Sequence, residues 1–178
     1  SCFVTGIEQE EYLKESFLAR RLNVFSDIIE IPNSQKYDII TAFHVVEHLP
    51  DPVGTLMDLS KILKKNGEII IEVPSSDDAL LTLYNCDAFS HFTYWSQHLF
   101  LFNKNTFSDL IDKTTLKINW IKNIQRYPLS NHLYWLSKGL PGGHDIWKFM
   151  NDENLNKAYE KQLEAVGKTD TIIASIIF

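Results

Sequence analysis

Short runs of β-forming residues alternate with segments of helical spacing across the first two-thirds of the chain. This alternation constrains the fold more than any other feature, because βα units bury their apolar faces by laying helices against a mostly parallel sheet. Residues 2–7, 22–25, 37–43, 68–73, 116–124 and 171–178 read as strands. Between them, residues 10–20 place Tyr12, Leu13, Phe17 and Leu18 at helical spacing, with acidic residues leading and Arg20-Arg21 trailing, as the helix dipole favours. Residues 53–64 carry Leu56, Leu59, Ile62 and Leu63 three and four apart and are expected to stop at Asn66-Gly67. The run Tyr37–Phe43 (YDIITAF) is apolar enough to predict burial on both faces. The fold class expected is α/β, with helices on both sheet faces and a final antiparallel strand over 171–178.

The second half breaks this regularity. Residues 75–102 are rich in aromatics without a period, which predicts a lid or insert. Asn103 or Asn105 can cap a helix over 106–113. A helical insert is expected over about 130–165, built of helices 130–138 and 145–163 around the turn Pro141-Gly142-Gly143. At 178 residues and 44% hydrophobic content, residues 1–178 read as one globular domain. A net charge of −6 argues against nucleic-acid or anionic-membrane partners. There is neither an apolar window of membrane-spanning length nor a signal-peptide pattern, and two cysteines suit a reducing compartment, so a cytoplasmic protein is expected. The chain opens on Ser1 and runs straight into Cys2-Phe3-Val4, as if a strand were already under way, which suggests a piece of a longer protein.

Several residues stand where chemistry is often found. Glu8 follows the first strand and precedes a helix, where a carboxylate can accept from ribose hydroxyls or simply serve the helix dipole. His44-Val45-Val46-Glu47-His48 matches H-x-x-E-H, the zinc-hydrolase pattern of two helical histidines and a glutamate base. Pro50 and Pro52 leave such a helix little room, so that reading is a minor alternative and no metal is expected.

Taken in order, Gly6-Ile7-Glu8, Ser26-Asp27-Ile28, Tyr37-Asp38-Ile39-Ile40, Phe43 through Leu49 and Leu63 through Gly67 before EIIIEVP resemble the class I S-adenosylmethionine-dependent methyltransferases. The segment Glu47-His48-Leu49 resembles the group with an EHL element after the fourth strand. The later blocks 95–102 and 125–132 are similar to methyltransferases of bacterial surface-sugar pathways. The resemblance implies S-adenosylmethionine as cofactor, with Glu8 on the ribose, Asp27 and Ile28 at the adenine, and Phe43 and His44 lining the cleft. Asp27 as a turn acid and Phe43 as a core residue remain the rival readings. In one respect the chain departs from the family: the Gly-x-Gly turn after the family's first strand is absent. The alignment then starts at the family's second strand, which leaves a hole in the sheet between the family's second and fourth strands. Either those strands close up or another chain fills the gap, and an exposed edge there predicts self-association into a homo-oligomer.

On the acceptor side, His98 and His91 are candidates for removing a hydroxyl proton, since an imidazole titrates near neutrality. Tyr94, Arg126, Tyr127 and Asn131 are candidate substrate contacts. The activity so implied is methyl transfer to a small acceptor, with a sugar or sugar nucleotide as the class suggested. The alternative is a truncated or degenerate domain without cofactor that serves as an interaction module.

Overall fold

A computed structural model describes residues 3–178; Cys2, placed in the first expected strand, lies outside the described residues. The chain opens with a βαβ unit in which β1 (Thr5–Ile7), α1 (Glu11–Ala19) and β2 (Asn23–Phe25) form a two-stranded parallel sheet. Next come β3 (Tyr37–Phe43), α2 (Pro52–Ile62) and β4 (Leu63–Pro74). The short helices α3 (Ala79–Thr82) and α4 (Asp87–Thr93) lead to α5 (Lys104–Ile111) and β5 (Lys117–Ile124). Helices α6 (Leu129–Lys138), α7 (Gly143–Ile146) and α8 (Glu153–Ala165) precede the last strand, β6 (Thr171–Ile177). The second sheet has the order β3-β4-β6-β5. β3 pairs parallel to β4, whereas β6 runs against both β4 and β5, so three strands share one direction and the C-terminal strand opposes them.

The strand alternation decides where the core lies. Ile69, Ile71 and Val73 of β4 and Ile172, Ala174 and Ile176 of β6 project to one face, where they are buried with Leu56, Leu59 and Ile62 of α2 and Phe107, Leu110 and Ile111 of α5. Each large side chain so buried contributes about 1.5–3 kcal/mol. Both helices start on a satisfied cap. Asp51 Oδ1 accepts from Gly54 N at 2.9 Å ahead of Pro52, and Asn103 forms a reciprocal capping box with Thr106.

The hole expected in the sheet is visible as a division into two sheets. Among the described residues β1 and β3 are not paired, so closure of one onto the other does not occur. Gln35 bridges their starts, donating from Nε2 to Thr5 Oγ1 at 3.2 Å and hydrogen bonding Tyr37 OH. The expectation that β3 is buried on both faces is therefore corrected: it is an edge strand, with Ile39 59% and Phe43 50% exposed. Helix α1 forms as its spacing predicts but buries none of its residues.

Three further boundaries differ from the sequence reading. Helix α2 passes directly into β4, and Asn66-Gly67 sits inside that strand at a register shift, where Tyr37 pairs Leu63 but Ile39 pairs Glu68. Gly67 is required there because a Cβ would lie 2.8 Å from Asp38 O and 3.0 Å from Tyr37 O. Gly67→Ala should force the two backbones apart and cost about 1–3 kcal/mol in urea denaturation; an unchanged midpoint would refute the close-approach account. Residues 75–102, expected as an aperiodic lid or insert, hold two short helices, with Leu80 and Cys86 buried against Trp135 in a second small cluster. The helix expected over 145–163 breaks into α7, a 3-10 turn Lys148–Met150 and α8, because Asp152 is extended and starts a new helix by accepting from Leu155 N at 2.9 Å. No helix among the described residues is long and apolar enough to cross a membrane.

Candidate functional site

The site is built at the end of the main sheet where β3, β4 and β5 finish and β6 begins. The chain leaves β3 through His44, whose φ of +53° turns it sharply into the 3-10 turn Val46–His48. This turn places the His44 ring between two carboxylates, with Nδ1 3.3 Å from Glu47 Oε1 and Nε2 3.0 Å from Glu72 Oε1. Arg126, entering from the end of β5, reaches the same Glu72 oxygen at 3.2 Å and also contacts His44. The neighbouring Glu47 holds the imidazole pKa above its ordinary value, against burial and the Arg126 charge. The two H-x-x-E-H histidines consequently do not share a helix, so the zinc-hydrolase geometry is not formed.

Behind this gate lies a cavity of about 200 Å³, enclosed by α4, α6, the loop before β6 and the turn at Gly142. His44, His98, Arg126, Tyr127 and Asn131 line it, so five of the residues singled out from sequence come together. His91 and Tyr94 do not line it: His91 is exposed on α4 with Nδ1 2.8 Å from Asp87 O, and Tyr94 is also exposed. Glu8, Asp27, Ile28 and Phe43 stand apart from the cavity, at the carboxyl ends of β1, β2 and β3.

Two acids in the cavity wall were not identified from sequence. Asp170, buried just before β6, accepts from Gln125 Nε2 (2.7 Å), Arg126 N (3.0 Å) and Tyr127 N (2.9 Å), which fixes the loop that presents Arg126 and Tyr127. Burial pushes its carboxyl pKa up. Asp78 is 3% exposed, caps α3 by accepting from Leu80 N at 2.6 Å, and has a pKa pushed to about 7, chiefly by burial. The Asp-rich start of α3 was a readable cap signal, whereas an acid before a final strand carries no sequence signature.

His132 extends the polar wall. Burial drives its pKa down to about 4, so it is neutral at pH 7. A neutral ring can accept at Nε2 from Gln125 Nε2 (3.2 Å) and donate at Nδ1 to Tyr159 OH (2.7 Å), and that hydroxyl meets Tyr84 OH at 2.9 Å. The buried polar wall is thus internally satisfied around one open cavity.

The fit of the cofactor implied by the resemblance rests on the strand ends. Glu8 is held at the carboxyl end of β1, with Oε1 accepting from Glu10 N at 2.9 Å. Its Oε2 has no partner among the described residues, and a half-buried carboxylate there suits a pair of vicinal hydroxyls. Asp27 uses Oδ1 to accept from Ile29 N at 3.1 Å, a turn-capping role, and Ile28 packs on the core. Glu8 thus has a free carboxylate oxygen that fits the ribose of S-adenosylmethionine, whereas Asp27 serves its turn and Ile28 the core; for the methionine half, the sequence supplies no Gly-x-Gly turn.

Comparison with known proteins agrees with this architecture. A family model described as a methyltransferase domain matches residues 4–119. No curated protein matches significantly. Among solved structures, a SAM-dependent methyltransferase from Archaeoglobus fulgidus superposes with a TM-score of 0.59 at 17% identity, over 97% of this chain and 74% of that one. A SAM-dependent methyltransferase from Thermotoga maritima gives 0.54 at 16% identity, over 97% and 72%. Coclaurine N-methyltransferase bound to N-methylheliamine and S-adenosylhomocysteine gives 0.53 at 17% identity, over 98% of this chain and 59% of that one. With residues 4–119 inside the family match and a sheet whose C-terminal strand alone is reversed, the chain belongs to the methyltransferase-domain family and has the fold of S-adenosylmethionine-dependent methyltransferases.

Proposed function

We propose that the protein transfers a methyl group from S-adenosylmethionine to a hydroxyl of a small acceptor, with a sugar or sugar nucleotide as the acceptor class. The observation that carries this reading is the cavity that joins aromatic walls, Phe89, Phe92, Tyr127 and Trp135, to polar groups at the sheet's carboxyl end. Aromatic faces suit the apolar face of a sugar ring, while Asn131 and Arg126 suit its hydroxyls and any phosphate. In this reading Glu8 holds the ribose hydroxyls, Asp27 and Ile28 flank the adenine, and Phe43 and His44 border the cleft. The cofactor, when bound, supplies a methyl group already activated as a sulfonium, so the chain's task is to align the acceptor and remove its proton. Two cavity residues are placed to take that proton. One is His98, whose Nδ1 lies 2.8 Å from Thr93 O, which leaves Nε2 as the basic atom. The other is Asp78, with its pKa pushed to about 7.

Calorimetric titration with S-adenosylhomocysteine tests the cofactor half without knowledge of the acceptor. The expected result is saturable one-to-one binding that weakens roughly 100-fold in Glu8→Ala, as the loss of two hydrogen bonds to a carboxylate implies. Absence of binding by the unaltered chain would favour the alternative, a methyltransferase-like interaction module that holds no cofactor. The unpaired edges of β1 and β3 support a further part of the reading, self-association, for which light scattering should give a mass above that of one chain.

A further inference from the structure

Glu47 is the most deeply buried acid among the described residues. Glu47 is 0% exposed, and neither of its carboxylate oxygens has a hydrogen-bond donor. A carboxyl group taken wholly out of water keeps its charge only against a nearby cation. What surrounds it is imidazole: His44 Nδ1, its ion-pair partner at 3.3 Å from Oε1, and His48 Nε2 at 3.8 Å from the same oxygen. His98 completes a group in which one ligand atom each from Glu47, His48 and His98 lie within 4.8 Å of one another.

The arrangement of the two histidines resembles that of metal ligands. His48 Nδ1 is 2.7 Å from Gln97 O, and His98 Nδ1 is 2.8 Å from Thr93 O. A nitrogen facing a carbonyl must carry a proton, which leaves Nε2 of each ring as the atom that can offer a lone pair. Orientation of an imidazole by a backbone carbonyl through its far nitrogen is the usual outer support of a metal-bound histidine. The backbone holds the two segments together as well, since Glu47 O accepts from Leu99 N at 2.9 Å and Phe100 N at 3.1 Å. The rings lie 4.9 Å apart between centroids.

The geometry points to a divalent transition-metal site formed by Glu47, His48 and His98. Two imidazole nitrogens and one carboxylate oxygen suit Zn²⁺ and related first-row ions, with a fourth position left for an oxygen ligand. Tetrahedral ligands at about 2.0–2.2 Å from zinc stand a little over 3 Å apart, so small side-chain rotations close the set. The H-x-x-E-H segment thus contributes its last two residues and not His44, and the third ligand comes from a segment about fifty residues downstream in the chain. His98 also lines the acceptor cavity, which puts the ion at the cavity wall and leaves Asp78 as the group free to take a proton. The assignment itself does not rest on methyl transfer.

Titration of the full chain with Co²⁺, in the absence of cofactor and acceptor, reads the site through visible absorption. One Co²⁺ per chain is expected, with a band typical of low coordination number that Zn²⁺ displaces. Glu47→Gln and His98→Ala should each weaken binding at least about 100-fold, beyond the 10–100-fold cost of losing an outer partner, while His91→Ala keeps full stoichiometry. His98 is partly exposed, so His98→Ala decides the matter should Glu47→Gln fail to fold. Failure of the unaltered chain to bind Co²⁺ stoichiometrically, or binding undiminished in His98→Ala, would overturn the site. Neither result bears on the S-adenosylhomocysteine titration, so the two readings fail separately.

Discussion

Asp170→Ala should destabilise the protein by about 4 kcal/mol, lowering the melting temperature by roughly 8–16 °C for a chain of this size. The carboxylate accepts from Gln125 Nε2, Arg126 N and Tyr127 N in a wall with little access to water. Its removal strands the backbone N–H groups of Arg126 and Tyr127 at about 1–3 kcal/mol each, while Gln125 Nε2 keeps Tyr127 O at 2.9 Å and His132 Nε2 at 3.2 Å as acceptors. Gln125 is also tied back to Asp170 N through its own Oε1 at 3.1 Å. Asp170→Asn keeps one acceptor oxygen and should cost less than half as much. Chemical denaturation of both variants measures the difference. A loss below about 1 kcal/mol in Asp170→Ala would mean that the Arg126-Tyr127 loop is held by something other than this carboxylate.

Asp78→Asn should have the opposite sign at pH 8, stabilising the fold by roughly 4 kcal/mol. Burial raises the Asp78 pKa from an ordinary 3.8 to about 7, and the nearby Asp170 charge adds to the effect. The folded state therefore binds this proton more tightly than the unfolded chain does. The corresponding stability is fully present below pH 3.8 and is lost as pH rises through 7, at about 1.4 kcal/mol for each tenfold change in proton affinity. Asparagine has no charge to desolvate and keeps an acceptor for Leu80 N. His132 works in the other direction: with its pKa lowered from 6.5 to about 4, its neutral form stabilises the fold above pH 6.5, and that contribution is lost as pH falls through 4. The two effects nearly cancel in the unaltered chain, so the difference between Asp78→Asn and the parent, followed by denaturation from pH 4 to 8, isolates Asp78. A difference that stays flat across that range would show that Asp78 ionises freely in the folded state.

Much of the scaffold was legible because local rules and tertiary packing agree there. The 3.6-residue spacing of Leu56, Leu59 and Ile62 and the Asn103 cap specify α2 and α5 wherever they dock. The β-branched runs at β4 and β6 are strands for the same reason. Where two local signals competed, the stronger long-range contact prevailed. Asn66-Gly67 reads as a turn, yet pairing of β4 with β3 draws it into the strand, and Gly67 is there for the approach of the Asp38 carbonyl.

The candidate site was half legible. His44, Glu47, His48, His98, Arg126 and Asn131 were all singled out, because rare polar residues after strands and in aromatic loops attract attention on chemical grounds. Their grouping was not. Spacing along the chain paired His44 with His48, but His44 adopts a positive φ and turns toward Glu72 and Arg126, while the backbone bonds from Leu99 and Phe100 to Glu47 bring His98 in instead.

By itself, then, the sequence determined the order and type of the main elements and which polar side chains stand at strand ends, since periodicity, capping and residue chemistry are local properties. Only the tertiary structure decided that β1 and β3 remain unpaired, that Asp78, His132 and Asp170 become buried wall groups, and which histidines share Glu47. Burial and proximity between distant segments come from packing many elements at once, and no local stretch of chain encodes that.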